Sequence, residues 1–294
     1  MKANERCVNC LLNKQIRRVQ NQENEKLKKL FITDVKTALE KYSSSESAPM
    51  LNKRIDDAYK NYFGDEDEFK EAKIKYNQFL LDKEADLEKL IRHTSDPVKE
   101  CIKYVCAANY IDFSAVGNVN EETFLELLEK AKTQSVDIKE YSLFNDDLKN
   151  AKSLVYLTDN CGEVVIDKIF IKLIKEKFKS LDTVVILRGE NTLNDATIED
   201  AKQIGLTEVS KCIGNGNAAP GTILSLLSSE AKDLISNADV IIAKGQGNFE
   251  SLFKEGLNPY YLFLCKCDLF TDRFGLQKFS SVFKKEERIG KLKI

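Results

Sequence analysis

The glycines of this 294-residue chain are distributed unevenly, and this constrains its fold more than any other feature. Of the thirteen glycines, only Gly64 and Gly117 precede residue 150. Glycine destabilises the interior of a helix, but it suits the tight turns that join strands to helices. We therefore expect a helical first half and a second half rich in turns.

The apolar residues of the first half recur at the spacing of amphipathic helices. They form stripes over residues 27–39, 51–62 and 69–91, and two further helices begin at residues 95–97 and at Asn120. Stripes of this kind are typical of helices that pack on a common core. The pattern therefore predicts an all-α domain over residues 1–145.

After residue 150, short apolar runs alternate with helical stretches. The predicted strands are residues 154–157, 183–187, 208–213, 240–243 and 261–265. The predicted helices are residues 163–179, 195–204 and 222–236, with a short one from Phe249. Such alternation implies a parallel sheet with helices on both faces. We predict a Rossmann-like, mostly parallel α/β domain over residues 150–294, which carries the functional site.

The overall composition excludes several classes of protein. The 45 basic and 47 acidic side chains give a net charge of -2, which gives no support to nucleic-acid binding. No apolar run approaches the roughly 20 residues that span a bilayer, and no signal peptide is recognisable. We therefore expect a cytoplasmic protein without a membrane partner.

The single histidine, His93, limits the chemistry that is available. It follows Arg92 at the end of a helical stripe, which is typical of a surface residue near a helix C-terminus. A zinc site with several histidines is impossible. Acid–base chemistry should therefore rest on carboxylates, lysines or a metal ion.

The eight cysteines are expected to be free thiols. Four have apolar neighbours and are predicted to be small core residues: Cys101, Cys106, Cys161 and Cys212. Cys7 and Cys10 form a C-x-x-C at a helix start. A zinc site would need two more ligands there, for which Cys265 and Cys267 are candidates. Structural and metal or redox roles both remain open for this pair.

Polar residues follow the predicted strands at the edge where open α/β sheets bind ligands. The first two strands lead to Asp159, Asn160 and Asp195, whose oxygens suit magnesium or manganese. The last two lead to Lys244 and Lys266, which offer positive charge for a phosphate. Backbone N–H groups of residues 245–248 could cradle the same phosphate. Helix caps and turns could explain the polar residues of each loop taken alone. The convergence of these loops on one edge of the sheet favours phosphoryl chemistry instead.

Three common motifs are missing from these loops. The chain contains no G-x-x-x-x-G-K-[ST], which argues against a P-loop nucleotidase. The segment Gly245-Gln246-Gly247-Asn248 lacks the third glycine of a dinucleotide fingerprint. The first strand leads to Asp159-Asn160-Cys161, where a haloacid-dehalogenase-like phosphatase would have D-x-D.

The polar motifs, taken together and in this order, resemble those of the damage-control phosphatase family, formerly domain of unknown function 89. The resemblance rests on Asp159-Asn160-x-Gly162-Glu163, Arg188-Gly189, Asn194-Asp195-Ala196-Thr197-x-x-Asp200, Lys244-Gly245-Gln246-Gly247-Asn248-Phe249-Glu250, Lys266-Cys267 and Asn109-x-x-Asp112. Cys7-Val8-Asn9-Cys10 resembles the C-x-x-C of an archaeal and bacterial subfamily. The resemblance covers nearly the whole chain.

The resemblance implies a metal-dependent phosphatase that uses cobalt, nickel, manganese or magnesium. Its substrates would be sugar phosphates or related reactive or damaged phosphometabolites. It implies Asp159, Asn160 and Asp195 as metal ligands, and Glu163 as the group that orients or deprotonates a metal-bound water. Lys244 and Lys266 would neutralise the phosphate.

Further residues are expected to contact the substrate: Asn109, Asp112, Arg188, Gly245, Gln246, Gly247 and Asn248. Arg188 is equally consistent with a structural ion pair and with a phosphate contact. Residues 190–192 and the loop 214–217 depart from the commoner family pattern, which leaves the substrate open.

Two other functions are compatible with the sequence. One is a carboxyl methyltransferase that uses S-adenosylmethionine, an activity also attributed to a eukaryotic branch of the family. A methyl donor needs no acidic metal site, however, and the two lysines would repel its sulfonium. The other is a non-enzymatic module that senses metal or redox state through Cys7 and Cys10 and only binds a phosphorylated effector. Oligomeric state and the attacking group are left open.

Overall fold

The computed structural model describes residues 1–112 and 119–290, in which it forms twelve α-helices and six strands. The first seven helices are α1 (Glu5–Arg18), α2 (Glu25–Tyr42), α3 (Ala48–Phe63), α4 (Lys70–Arg92), α5 (Pro97–Ala108), α6 (Glu121–Thr133) and α7 (Ile138–Asn150). The other helices are α8 (Glu163–Lys177), α9 (Ile198–Gln203), α10 (Ser229–Ser236), α11 (Gly245–Leu252) and α12 (Asp268–Phe274). The strands are β1 (Ser153–Leu157), β2 (Asp182–Leu187), β3 (Lys211–Gly214), β4 (Val240–Lys244), β5 (Tyr260–Leu264) and β6 (Ser281–Lys285).

The six strands form one sheet in the order β3-β2-β1-β4-β5-β6. Neighbouring strands are parallel except β5 and β6, which pair antiparallel. The predicted Rossmann-like, mostly parallel sheet is therefore confirmed. The chain runs outward from β1 to β3 on one side and from β4 to β6 on the other. The point between β1 and β4 is thus where an open α/β sheet is expected to bind its ligand.

The helices before the sheet belong to two groups with separate cores. Helices α1 to α3 enclose a small core of their own, which includes Leu11, Phe31 and Tyr59. Helices α4 to α7 contribute instead to the core on one face of the sheet, where Phe144 of α7 packs against Tyr260 of β5. The first of these groups is called the α1–α3 bundle below. The predicted division at residues 145–150 stays a prediction, and the packing adds a division after α3.

Several predicted boundaries were wrong. The third strand begins at Lys211, because residues 206–208 form a short 3-10 turn. Helix α9 begins at Ile198 because Thr197 caps it, and residues before Ser229 form another 3-10 turn instead of extending α10. Helix α11 starts at Gly245, four residues before the predicted start. Helices α7 and α12 and strand β6 were not predicted.

No helix in the described part of the chain combines the length and apolar character needed to cross a bilayer.

Candidate active site

A cavity of about 530 Å³ opens at the carboxyl ends of the strands, between the sheet and the α1–α3 bundle. Six of the predicted site residues line it: Asp112, Asp159, Asn160, Asp195, Gln246 and Gly247. The other seven are buried and do not line the cavity: Asn109, Glu163, Arg188, Lys244, Gly245, Asn248 and Lys266. The predicted residues are therefore brought together, but in two layers.

The main chain holds the loops after β1 and β2 against each other. Asn160 and Asp195 form an isolated antiparallel bridge. The N–H of Ala196 donates to the carbonyl of Asp159 at 2.8 Å, and the N–H of Cys161 donates to the carbonyl of Asn194 at 2.8 Å. These bonds place the side chains of both loops at one point of the cavity wall.

Three side-chain oxygens at this point accept no hydrogen bond from the described residues: Asp159 Oδ1, Asn160 Oδ1 and Asp195 Oδ1. We call them the oxygen cluster. Their partner atoms are all engaged. Asp159 Oδ2 accepts from Asn160 Nδ2 at 2.8 Å, and Asp195 Oδ2 accepts from Arg188 Nε at 2.6 Å. Arg188 Nη2 lies 3.8 Å from Asp159 Oδ1.

The carboxyls of the oxygen cluster hold protons more firmly than exposed aspartates do. Burial raises the pKa of Asp159 to about 6, and the charge of Glu163 adds to the rise. Burial raises the pKa of Asp195 to about 7, with Asp159 adding to the rise and Arg188 opposing it. A positive charge beside these oxygens would favour the ionised forms.

The oxygen cluster fits a hard divalent ion. A metal site built only from His, Cys, Asp and Glu would need at least three such side chains close together. Residues 1–112 and 119–290 contain no such group. The predicted site is compatible with this finding because one of its three ligands is the amide of Asn160. Two carboxylate oxygens and one amide oxygen are ligands that magnesium and manganese prefer.

Gly245 allows the close approach of the β4–α11 turn to the oxygen cluster. It has φ +81°, and a Cβ atom on it would fall within bonding distance, 1.9 Å, of Asp159 Oδ2. No other residue type fits there without moving the carboxylate. Gly245, in the loop predicted to bind phosphate, is thus required because Asp159 in the loop after β1 leaves no room for a side chain.

Behind the oxygen cluster lies a buried network of charged groups. Asn109 donates from Nδ2 to Asp159 Oδ2 at 2.9 Å and to Glu163 Oε2 at 2.7 Å. Lys244 Nζ lies 3.6 Å from both Glu163 Oε1 and Asp167 Oδ1, and it donates to the carbonyl of Val105 at 3.0 Å. Burial opposes the charge of Lys244, yet its pKa is raised because Asp167 and Glu163 lie beside it.

Lys244 and Glu163 both lie in this buried network, and the roles predicted for them stay predictions. Neither side chain has measurable exposed surface, and neither lines the cavity. Burial, together with the charge of Asp167, raises the pKa of Glu163, while Lys244 opposes the rise. The contacts of Lys244 and Glu163 are with other buried groups of the network, and they help to position the oxygen cluster.

Arg188 and Asn248 are also structural in their contacts. Besides its bond to Asp195, Arg188 reaches Asn248 Oδ1 at 3.4 Å. Asn248 donates to the carbonyls of Thr158 and Lys244 at 3.0 and 2.7 Å. Of the two roles considered for Arg188, the geometry favours the ion pair.

Lys266 and the start of α11 supply positive potential near the cavity. Lys266 Nζ donates to Asp112 Oδ2 at 2.7 Å, and its main-chain N–H donates to Gln246 Oε1 at 2.7 Å. Gln246 and Gly247 lie in the first turn of α11, whose N–H groups have no acceptor within the helix. A helix start of this kind attracts an anion such as phosphate.

All eight cysteines are free, and Cys101, Cys106 and Cys161 are buried as predicted. Cys212 is only partly buried. Cys7 and Cys10 of α1 line the cavity together with Cys267, whereas Cys265 is buried. Burial raises the pKa of Cys7 to about 11, so it is not a thiolate nucleophile at neutral pH.

Two residues that support the site were not predicted. Asp167 lies one helical turn after Glu163 and accepts from the Tyr156 hydroxyl at 2.7 Å. Asn77 of α4 accepts from the N–H of Gly162 at 2.7 Å, and Gly162 is the N-cap of α8. A signal existed for Asp167, because it is a charged residue within an apolar helical run. Asn77 gave none, because it lies far from the loops in sequence.

The chain is similar to known proteins over most of its length. Residues 3–282 match the family model of the damage-control phosphatase ARMT1-like domain. A damage-control phosphatase from Pyrococcus horikoshii is 30% identical over 270 residues, 91% of this chain and 92% of that one. One from Archaeoglobus fulgidus is 29% identical over 273 residues, 91% and 93% of the two chains. The crystal structure of the Pyrococcus horikoshii protein, described as a DUF89 family protein, superimposes with a TM-score of 0.82 over 97% of this chain and 99% of that one.

Proposed function

Because the chain belongs to the damage-control phosphatase ARMT1-like family, we propose that it is a metal-dependent phosphomonoesterase acting on small phosphorylated metabolites. The observation that carries the proposal is the oxygen cluster. Asp159, Asn160 and Asp195 line a cavity beside the start of α11, and one oxygen of each accepts no hydrogen bond from the residues that the structure describes. A cation site next to an anion site is what phosphoryl transfer requires.

Asp159, Asn160 and Asp195 would hold the metal, which is one of magnesium, manganese, cobalt or nickel. When bound, a divalent ion supplies Lewis acidity toward the phosphoryl oxygens and toward water. The side chains behind the cluster fix the ligands. Asn160 Nδ2 lies 2.8 Å from Asp159 Oδ2 and 3.4 Å from Glu163 Oε2, which turns its Oδ1 away from them.

The start of α11 would bind the phosphoryl group. Gln246 and Gly247 line the cavity, so their N–H groups can donate to phosphoryl oxygens. Lys266 would stabilise the negative charge from beside Asp112, to which it donates at 2.7 Å. Lys244 keeps the buried carboxylates of Glu163 and Asp167 balanced in charge.

The proposal is tested by hydrolysis of p-nitrophenyl phosphate with EDTA-treated protein, to which single divalent metals are added back. We expect turnover only with metal. Asp159→Asn and Asp195→Asn should each lower kcat by about 100-fold or more, because each removes a negative charge that would hold the metal ion. Asp233→Asn, at an exposed position of α10, is the matched control and should keep full activity.

Two results would contradict the proposal. One is full turnover in metal-free protein, and the other is full metal-dependent turnover in either cluster variant. Calorimetry with Mn²⁺ separates metal binding from chemistry, because the cluster variants should bind the ion weakly. Tight binding of phosphate esters without turnover would favour the sensing module, and methyl transfer from S-adenosylmethionine would favour the methyltransferase.

A further inference from the structure

The C-x-x-C of helix α1 has no part in the proposed phosphatase chemistry. Cys7 and Cys10 both line the cavity, on the side that α1 contributes. Among the residues that the structure describes, no three His, Cys, Asp or Glu side chains lie together as a metal site would need. The zinc site that could have used Cys267 is therefore not formed. The chemistry left for this pair is one that needs only two thiols.

Helix geometry places these two thiols close to each other. Residues of an α-helix rise about 1.5 Å each on a radius of about 2.3 Å, so Cα atoms three residues apart are separated by about 5 Å. Disulfides join Cα atoms at about 4.4–6.8 Å, but they also need Cβ atoms at about 3.5–4.5 Å. Cβ atoms at this helical spacing lie about 5–6 Å apart. A bond between Cys7 and Cys10 therefore requires the first turn of α1 to leave helical geometry.

The first turn of α1 carries contacts that hold this helix on the sheet. Asn4 caps the helix by accepting from the N–H of Cys7 at 3.0 Å. Arg6 pairs with Asp272 of α12 at 2.5 Å. The side chain of Cys7 packs against the core that Phe249 of α11 shares with the sheet. Opening the turn would break the cap and withdraw Cys7 from that core.

The surroundings of the two thiols differ as those of an attacked and a resolving cysteine do. Of the eight cysteines, all within the described residues, Cys10 alone is exposed, so a dissolved oxidant reaches it first. Cys7 is partly buried, and burial raises its pKa to about 11. Cys7 therefore stays protonated while Cys10 reacts, and it can attack the oxidised sulfur afterwards.

We propose that Cys7 and Cys10 form a reversible disulfide on exposure to hydrogen peroxide, and that this bond releases the first turn of α1 from the sheet. The Cys10 sulfur first bonds to one peroxide oxygen, the O–O bond breaks and water leaves, which gives a sulfenic acid. Cys7 Sγ then attacks Cys10 Sγ. The S–S bond forms, the S–O bond breaks, and the hydroxyl leaves as a second water with the proton of Cys7. The two thiols lose two electrons, which one molecule of peroxide takes up.

The release should reach the cavity, because α1 forms part of its lining. In the oxidised state this side of the cavity is no longer fixed to the sheet, and the proposed phosphatase reaction should slow as its substrate is held less firmly. A dithiol reductant restores both thiols and the helical turn. Formation of the bond itself does not depend on the phosphatase proposal.

The test oxidises dithiothreitol-reduced, desalted protein with hydrogen peroxide, blocks the remaining thiols with N-ethylmaleimide and digests the protein with trypsin. Cleavage after Arg6 and Lys14 gives one peptide that contains Cys7, Cys10 and no other cysteine. After oxidation we expect this peptide to lack two hydrogens and to carry no maleimide, and after re-reduction to carry two maleimides. Amide exchange in the first turn of α1 should rise about tenfold or more on oxidation and stay unchanged in β1.

Cys10→Ser should prevent the bond and the rise in exchange. Cys212→Ser, which removes a partly buried thiol of β3, is the matched control and should prevent neither. For p-nitrophenyl phosphate, with metal added after the peroxide is removed, kcat/KM of the wild type should fall about tenfold or more on oxidation. It should recover with dithiothreitol, and Cys10→Ser should keep the same kcat/KM with and without peroxide.

Four results would overturn the inference: a link from Cys7 to Cys267, which joins two peptides; a sulfenic or sulfinic acid at Cys10 without a disulfide; unchanged exchange in oxidised α1; and unchanged kcat/KM after oxidation. If neither redox state hydrolysed the ester, the phosphatase proposal would fail instead. The peptide masses and the exchange rates would then still decide whether the disulfide forms and releases α1.

Discussion

The main chain at Gly245 passes so close to Asp159 that this single position controls the oxygen cluster. We expect Gly245→Ala to lower kcat by about 100-fold, because the added Cβ displaces a carboxylate that must be placed within a fraction of an ångström. Steady-state kinetics with added metal would measure the loss.

Gly256→Ala is the matched control for that substitution. Gly256 has φ +86°, close to the +81° of Gly245, but nothing lies within 4 Å of its added Cβ. Both variants carry a similar backbone strain of about 1–2 kcal/mol, while only Gly245→Ala meets the site. An equal loss of activity in the two variants would show that strain, not contact with Asp159, is responsible.

Glu250 should make the stability of the protein depend on pH. Burial raises its pKa to about 7, opposed by Lys14, the amino group of Met1 and Arg273, and assisted by Asp112. A raised carboxyl pKa means that the folded state binds more protons than the unfolded state between about pH 4.5 and 7. The free energy of unfolding therefore falls as pH rises through this window, by at most about 3.4 kcal/mol for this group.

Glu250→Gln removes this dependence. The variant should match the wild type near pH 4.5 and unfold at a higher temperature than the wild type at pH 8, in thermal melts at constant ionic strength. A wild type that is the more stable of the two at pH 8 would contradict the prediction, since Glu250 would then have a partner that compensates its burial.

At this scale the sequence identified which residues meet but not which of them face the cavity. Residue type and loop position were enough to select Asp159, Asn160 and Asp195. The same information could not predict that Lys244 pairs with Glu163 and Asp167 while Lys266 pairs with Asp112, because the sequence around a lysine after a strand does not show which carboxylate will lie beside it. Lys244 is buried through Asp167, which reaches it from a different element.

The elements of the α/β half show where periodicity is informative. Central strands are buried on both faces and give unbroken apolar runs, so β1, β2, β4 and β5 were located to within a residue or two. Strand β6 is an edge strand with the sequence SVFKK, and lysines at an edge hide it among loop residues. The start of α9 was predicted three residues too early. Asp195 to Thr197 are held in a loop by contacts with the loop after β1 and with Arg188, and local helix propensity does not reflect such contacts.

Helix α4 connects the two loops of the oxygen cluster through one buried residue. Asn77 accepts from the N–H of Gly162, and it donates to Asp200 Oδ1 at 3.0 Å. Asp200 in turn caps α9 by accepting from Thr197. We expect Asn77→Ala to lower the free energy of unfolding by about 1–3 kcal/mol and the affinity for Mn²⁺ about tenfold, because both loops lose their common anchor.

Gln78→Ala, at the next, exposed position of α4, should change neither quantity. Denaturant unfolding and calorimetry would give the two values. If Asn77→Ala lost stability but kept its affinity for Mn²⁺, Asn77 would support the fold without positioning the site.

At the scale of the whole molecule, the cavity lies between two separately packed bodies. One is the sheet with the helices on its faces, and the other is the α1–α3 bundle with its own core. Composition and periodicity predicted that the first half is helical. They could not predict that α4 to α7 join the core of the sheet, because an apolar stripe does not specify the surface on which it packs.

Separate cores predict that the α1–α3 bundle can lose its structure without unfolding the sheet. Phe31 is fully buried at the centre of the bundle, with its ring edge-on to Tyr59, Tyr62 and Phe63. Phe31→Ala should cost about 3–5 kcal/mol within the bundle. Amide hydrogen exchange should then rise by roughly 100-fold or more in α1 to α3 and stay near its wild-type rate in β1 and α8.

Phe170→Ala is the matched control in the other body, since Phe170 is fully buried in the core shared by α8 and the sheet. It should accelerate exchange in α8 and the strands. Because Cys7 and Cys10 of α1 line the cavity, Phe31→Ala should also lower kcat/KM for the proposed phosphatase reaction. A uniform rise of exchange over both bodies in Phe31→Ala would show instead that they unfold as one cooperative unit.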